Sequence, residues 1–188
     1  LDTLDKQYNR IQSGELESSP IDWMKYIKDE KVEKISNKEP RDHQILCVNE
    51  VTEALKTADR GKIIMACGTG KTYTSLLIAE KIAGPGKKVL YMVPSLSLMS
   101  QTIREWKNDC SSEFVAFSAC SDKKIGKRKS SDDVIDINLS DLSHPATTDP
   151  KILSYEVSEK SNNDKMTVVF STYQSIEVIH KAQYEFGM

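Results

Sequence analysis

The sequence predicts an α/β domain, a parallel sheet with helices on both faces. Three observations carry this. Short apolar runs at 61–65, 88–93, 113–120 and 166–170 alternate with stretches whose apolar residues recur at helical spacing. Strong breaks separate them, Gly84-Pro85-Gly86 and Pro94 being the clearest. The chain has 188 residues, 38% hydrophobic and 29% charged, enough to bury the core of one domain with an extension.

Residues 1–39 are rich in charge and poor in apolar side chains, and read as a connector or helical extension. Leu1, Leu4, Tyr8 and Ile11 form one stripe, and Ile21, Trp23, Met24 and Ile27 a second. The main domain is expected over 40–188. His43 to Ala58 is helical through Ile45, Val48, Val51 and Leu55, and Gly61 to Met65 then reads as a buried strand. Lys71 to Ala83 is a helix with Leu76, Leu77, Ala79 and Ile82 inward. Lys88 to Val93 is a second buried strand, and Ser95 caps a helix continuing through Trp106. Glu113 to Cys120 alternates, as a third strand would. The following insert, basic first and acidic later, is too long for a plain loop, and Thr148-Asp149-Pro150 starts a helix within it. Met166 to Phe170 is the fourth strand, before a helix bearing Ile176, Ile179 and Ala182.

Composition narrows the function. A formal net charge of -2 excludes a globally basic nucleic-acid binder, though not a local basic surface. No apolar run approaches the roughly 20 residues of a membrane span, so no membrane partner is expected. Cys47, Cys67, Cys110 and Cys120 lie far apart without a CxxC pair, which argues against zinc and disulfides and for reduced thiols in a cytoplasm. A start at Leu1 and a stop within a helix-like stretch read as a piece of something longer.

The informative segment is Met65-Ala66-Cys67-Gly68-Thr69-Gly70-Lys71-Thr72. A predicted strand enters a glycine-containing loop, and Lys-Thr opens a helix. Glycines let successive N–H groups face one point, and the helix start adds partial positive charge. In that reading Gly68, Thr69 and Gly70 cradle the phosphates of ATP, Lys71 reaches the β and γ phosphates, and the Thr72 hydroxyl ligates Mg²⁺. Lys71 and Thr72 are the candidate catalytic residues. Met65 stands where the general GxxxxGK[ST] pattern has its first glycine.

Further segments accompany it. In Pro40-Arg41-Asp42-His43-Gln44, Arg41 and Gln44 form an RxxQ element upstream of the loop, and an amide can pair with both N6 and N7 of adenine. Val93-Pro94-Ser95-Leu96-Ser97-Leu98-Met99-Ser100-Gln101 and Ser171-Thr172-Tyr173-Gln174-Ser175 each follow a strand. These segments resemble the motif Ia and TxxS elements of helicase superfamily 2, and that resemblance makes Ser95, Ser97, Gln101, Thr172 and Ser175 the candidate contacts to nucleic-acid phosphates. The cluster Lys123, Lys124, Lys127, Arg128 and Lys129 reads as a solvated loop, with a non-specific contact to DNA phosphates as the alternative.

The loop with Met at its first position, the RxxQ element, a motif Ia-like segment and the TxxS element resemble helicase superfamily 2. The stretches ACGTGKT, VPSLSLMSQTIREW, Cys120-Ser121-Asp122-Lys123, Thr147-Thr148-Asp149-Pro150 and VVFSTYQSIEVI resemble, more narrowly, the ATPase motor of single-polypeptide Type I (Type ISP) restriction-modification enzymes. The resemblance implies a RecA-like P-loop NTPase lobe, incomplete here, with ATP and Mg²⁺ as cofactors. It implies a motor that moves along double-stranded DNA, with a second RecA-like lobe, a nuclease and a methyltransferase as partners in the same chain. Residues 1–39 become the connector from the nuclease. No DExH element occurs in the sequence, Val134-Ile135-Asp136 being too short an apolar run, so no ATP turnover is expected from this piece alone. The rivals are a small-molecule P-loop enzyme such as a nucleotide kinase, and a nucleotide-binding module that does not hydrolyse.

Overall fold

The computed structural model describes residues 21, 23–29, 38–120 and 146–188. Contacts divide the chain into two units, Leu1–Asn37 and Lys38–Met188. In the first, helix α1 (Trp23–Asp29) sets Trp23 edge-on to Tyr26, with ring centroids 6.0 Å apart. The second contains, in order, α2 (Asp42–Ala54), α3 (Lys71–Ile82), β1 (Lys88–Val93), α4 (Leu96–Asp109), β2 (Phe114–Ala119), α5 (Pro150–Lys160), β3 (Met166–Thr172), a 3-10 turn (Tyr173–Ser175) and α6 (Ile176–Tyr184). The stripe at Leu1 to Ile11, the basic cluster Lys123 to Lys129 and Val134 to Asp136 lie outside the described residues.

The strands form one parallel sheet in the order β1–β3–β2. β3 is central and buried along its whole length. Side chains of a strand alternate between faces, and here both faces meet helices. Met166, Val168 and Phe170 enter a core with Tyr73 and Leu76 of α3 and Ile103 and Trp106 of α4. Val169 joins Leu153 and Val157 of α5 and Ile179 and Ala182 of α6. The expected α/β architecture is therefore present, with helices on both faces of a parallel sheet.

Helix starts follow local chemistry. The Ser95 hydroxyl accepts from Leu98 N at 3.3 Å, and Asp149 Oδ1 accepts from Lys151 N at 2.8 Å and Ile152 N at 3.4 Å. Each side chain thereby satisfies N–H groups that the helix leaves without an internal partner. Pro150 at the first turn has no N–H to satisfy.

Two expectations about strands change. Gly61 to Met65 forms no strand: Ile63 is 47% and Ile64 84% exposed, and no described strand lies beside them. A strand is a hydrogen-bonded relation to a neighbour, and an apolar run states only that a neighbour would be tolerated. β1, expected to be buried, is a sheet edge on which Lys88 and Leu90 are exposed, Val89, Tyr91 and Met92 are half-buried and only Val93 is buried.

Candidate functional site

The site is built where α2, the loop 65–70 and the start of α3 converge. Gly68 (φ 76°) and Gly70 (φ 82°) are both left-handed, a conformation open to glycine at little cost. Gly70 is also the N-cap of α3, and a Cβ there would stand 2.5 Å from Gln44 Nε2. Thr69 Oγ1 donates to Ala66 O at 2.8 Å, tightening the curl. Lys71 Nζ folds back over the loop, donating to Met65 O at 3.1 Å and Ala66 O at 2.9 Å. The ammonium is thus held at the loop, beside the backbone that would surround a phosphate.

Gln44 is 3% exposed, and its amide is spent within the protein. Its Oε1 accepts from Arg41 N at 2.9 Å, closing the first turn of α2. Its Nε2 donates to Thr69 O at 3.2 Å and Gly70 O at 3.3 Å. An amide nitrogen has two donors, and both are used. Arg41 itself is exposed. Gln44 is therefore brought to the loop expected to hold phosphate, whereas Arg41 is tied to it only through its backbone N–H to Gln44.

From the far side, Trp106 Nε1 of α4 donates to Thr72 O at 3.1 Å. Trp106 is 1% exposed, with Tyr91 and Phe170 rings at 4.9 and 5.5 Å. Thr72 sits in the first turn of α3, half-buried. Among the described residues no group of three or more His, Cys, Asp or Glu could hold a metal ion. Thr72 is the residue of this turn whose hydroxyl would complete the shell of a Mg²⁺ ion brought in with phosphate oxygens and waters.

The candidate nucleic-acid contacts divide. Ser95, Ser97 and Gln101 are exposed; the Ser95 and Ser97 hydroxyls lie 3.3 Å apart, and Gln101 Nε2 donates to Glu105 Oε1 at 2.7 Å. Thr172 and Ser175 are buried and bonded to each other at 2.9 Å, so their hydroxyls are not presented at the surface as expected. The strand register places Thr172 opposite Val93, which puts both segments at one end of the sheet. Tyr173 and Gln174 are the exposed residues of that turn.

Sequence reasoning passed over His43. Its Nε2 lies 3.1 Å from Thr69 O, and because a carbonyl only accepts, Nε2 carries the proton. No spacing rule singles out a histidine beside a motif glutamine. A groove of 710 Å³ also runs between α2 and residues 61–66, reaching the loop at Ala66 and Thr69, with Leu46, Val51, Ile63 and Ile64 among its walls.

A family model described as "Type III restriction enzyme, res subunit" matches residues 37–187. The chain belongs to this family. Two solved structures agree with the assignment. The Type ISP restriction-modification enzyme LlaGI, as a nuclease-deletion mutant in complex with a DNA substrate mimic, is 42% identical, with a TM-score of 0.63 over 79% of this chain and 14% of that one. The ATP-dependent Type ISP restriction-modification enzyme LlaBIII, bound to DNA, is 39% identical, with a TM-score of 0.68 over 88% of this chain and 11% of that one. UvrABC system protein B from Lactococcus lactis subsp. cremoris, strains MG1363 and SK11, is 32% identical over 136 residues, 65% of this chain and 19% of the relative. The chain thus spans about a fifth or less of each relative's length. With the sheet and loop described above, the matches identify the RecA-like lobe of a helicase-like superfamily 2 motor. No helix of the described residues is long and apolar enough to cross a membrane.

Proposed function

We propose that residues 40–188 are the ATP-binding part of the first RecA-like lobe of a DNA motor within a longer restriction-modification enzyme, with 1–39 as connector. The observation that carries this is the loop: two left-handed glycines directly ahead of α3, with the Lys71 ammonium folded onto the carbonyls of Met65 and Ala66. On binding ATP, Lys71 exchanges those carbonyls for β and γ phosphate oxygens, a stronger pairing because both partners are then charged. Gly68, Thr69 and Gly70 supply backbone donors, Thr72 gives Mg²⁺ its hydroxyl, and Arg41 and Gln44 lie on the adenine side. For Gln44 to read the base, its amide must trade the carbonyls of Thr69 and Gly70 for adenine.

Hydrolysis drives movement along double-stranded DNA in the whole enzyme, whose second lobe, nuclease and methyltransferase are partners in the same polypeptide. Similarity to LlaGI and LlaBIII, both described with DNA or a DNA mimic, supports this. Ser95, Ser97 and Gln101 contact DNA phosphates, while Thr172 and Ser175 hold the turn beside them. Lacking a DExH element, the chain binds ATP without turning it over. The test is titration with Mg²⁺·ATP. Lys71→Ala is expected to weaken binding roughly tenfold to a hundredfold, the equivalent of about 1.5–3 kcal/mol for charge-assisted bonds. Equal affinity in the variant would sink the assignment.

A further inference from the structure

A trans peptide is planar, so its carbonyl and the N–H of the next residue point in opposite directions. Whatever holds the Thr69 carbonyl therefore aims the Gly70 N–H, and whatever holds the Gly70 carbonyl aims the Lys71 N–H. Two adjacent side chains of α2 do the holding. Thr69 O accepts from both His43 Nε2 (3.1 Å) and Gln44 Nε2 (3.2 Å), which fills its two lone pairs. Gly70 O accepts from Gln44 Nε2 at 3.3 Å and, within α3, from Thr74 N at 2.9 Å and Thr74 Oγ1 at 3.1 Å. Pulled toward α2, the Thr69 carbonyl turns the Gly70 N–H away from that helix.

We propose that His43 is a positioning residue of the phosphate loop: its Nε2–H holds the Thr69 carbonyl so that the Gly70 N–H is aimed at a bound phosphate before ligand arrives. Three features favour it over an incidental surface contact. His43 and Gln44 converge on the same oxygen, although an adjacent pair on a helix does not share a face. Gln44 alone divides its two donors between two carbonyls, so its restraint on each is single. The bonded peptide lies between the left-handed Gly70 and Thr69, where the chain leaves the curl for the helix and an error in plane would misdirect the donor at the helix start. His43 acts through the backbone and makes no contact with the nucleotide, which sets it apart from a reader of the base.

The inference rests on the nucleotide reading above, and the experiment separates the two. Binding of Mg²⁺·ADP and of Mg²⁺·pyrophosphate to the 188-residue chain is measured by calorimetry for wild type, His43→Ala, His43→Gln and His43→Phe. His43→Ala and His43→Phe are expected to weaken both ligands alike, by about fivefold, the equivalent of one net hydrogen bond of about 1 kcal/mol. His43→Gln, whose amide nitrogen extends about as far as Nε2, is expected to restore binding to within twofold. Loss for ADP with pyrophosphate unchanged would put His43 on the base and overturn the proposal, as would full affinity in both His43→Ala and His43→Phe. If His43→Ala loses its fold, the comparison of Gln with Phe decides: equal affinities for these two refute the positioning role. Wild type that binds neither ligand removes the nucleotide reading itself, and this role with it.

Discussion

The hydroxyls of Thr172 and Ser175 bond to each other at 2.9 Å, at positions only 4% and 0% exposed. The pair closes the step from the central strand into the 3-10 turn, and each hydroxyl answers the polar demand of the other inside the fold. Removing one leaves its partner buried without that bond, which costs about 1–3 kcal/mol. Thr172→Val keeps the β-branched shape and is expected to lower the urea midpoint accordingly. The double variant Thr172→Val/Ser175→Ala should lose less than the sum of the singles, because the second change removes the group that the first had orphaned. Strict additivity would mean that the bond carries no stability.

The glycines form a graded series. Gly61 has open space around it, and Gly68 has open space but a left-handed φ of 76°. Gly70 combines a φ of 82° with Gln44 Nε2 at 2.5 Å from a built Cβ. Gly61→Ala is expected to be neutral, and Gly68→Ala to cost about 1–2 kcal/mol from backbone strain. Gly70→Ala should cost more, because Gln44 must also release the carbonyls it holds. Chemical denaturation of the three variants reads the order directly, and a Gly70→Ala no weaker than Gly68→Ala contradicts the close approach.

Tyr73 gives stability a dependence on alkaline pH. Burial first, then the negative charges of Asp109 and Glu80, push its hydroxyl above the usual tyrosine range. The neutral phenol donates to Lys38 O, with Lys38 Nζ 5.3 Å from the ring centroid. Above about pH 10 the unfolded chain releases this proton more readily than the folded one, so the unfolded state binds fewer protons and stability falls as pH rises. Its contribution is whole below that range. Tyr73→Phe should flatten the decline between about pH 9.5 and 11 relative to wild type, as followed by urea midpoints. An unchanged slope would remove Tyr73 as its source.

Asp149→Ala removes the acceptor of Lys151 N and Ile152 N at the start of α5. A lost N-cap costs about 1 kcal/mol. Asp149→Asn, which keeps an acceptor oxygen, should recover most of it; equal loss in the two variants would assign the effect to charge rather than to capping.

What could be read in the sequence depended on how far each interaction reaches. Ser95 and Asp149 are legible as caps because acceptor and donors lie within three residues. The glycines, Lys71 and Thr72 are legible as a loop because its curvature is a local property of the backbone. Gly61 to Met65 misleads because pairing requires a distant strand, which an apolar run does not specify. Thr172 and Ser175 have a spacing that serves a surface contact or an internal bond equally, and only burial separates the two. The bond from His43 to Thr69 spans 26 residues and has no sequence signature.

The indole of Trp106 turns the packing of α4 against α3 into an optical readout. The chain has two tryptophans, Trp23 in the first unit and Trp106 in the second, so Trp23→Phe leaves a single indole to excite apart from the tyrosines. Its Nε1–H is bonded to the carbonyl of Thr72, in the very turn that contains Lys71. Any occupant that draws that turn toward itself alters the polarity felt by the excited indole, whose ring is otherwise screened from water. Emission colour and lifetime can then follow filling and emptying of the loop in real time, with no label attached.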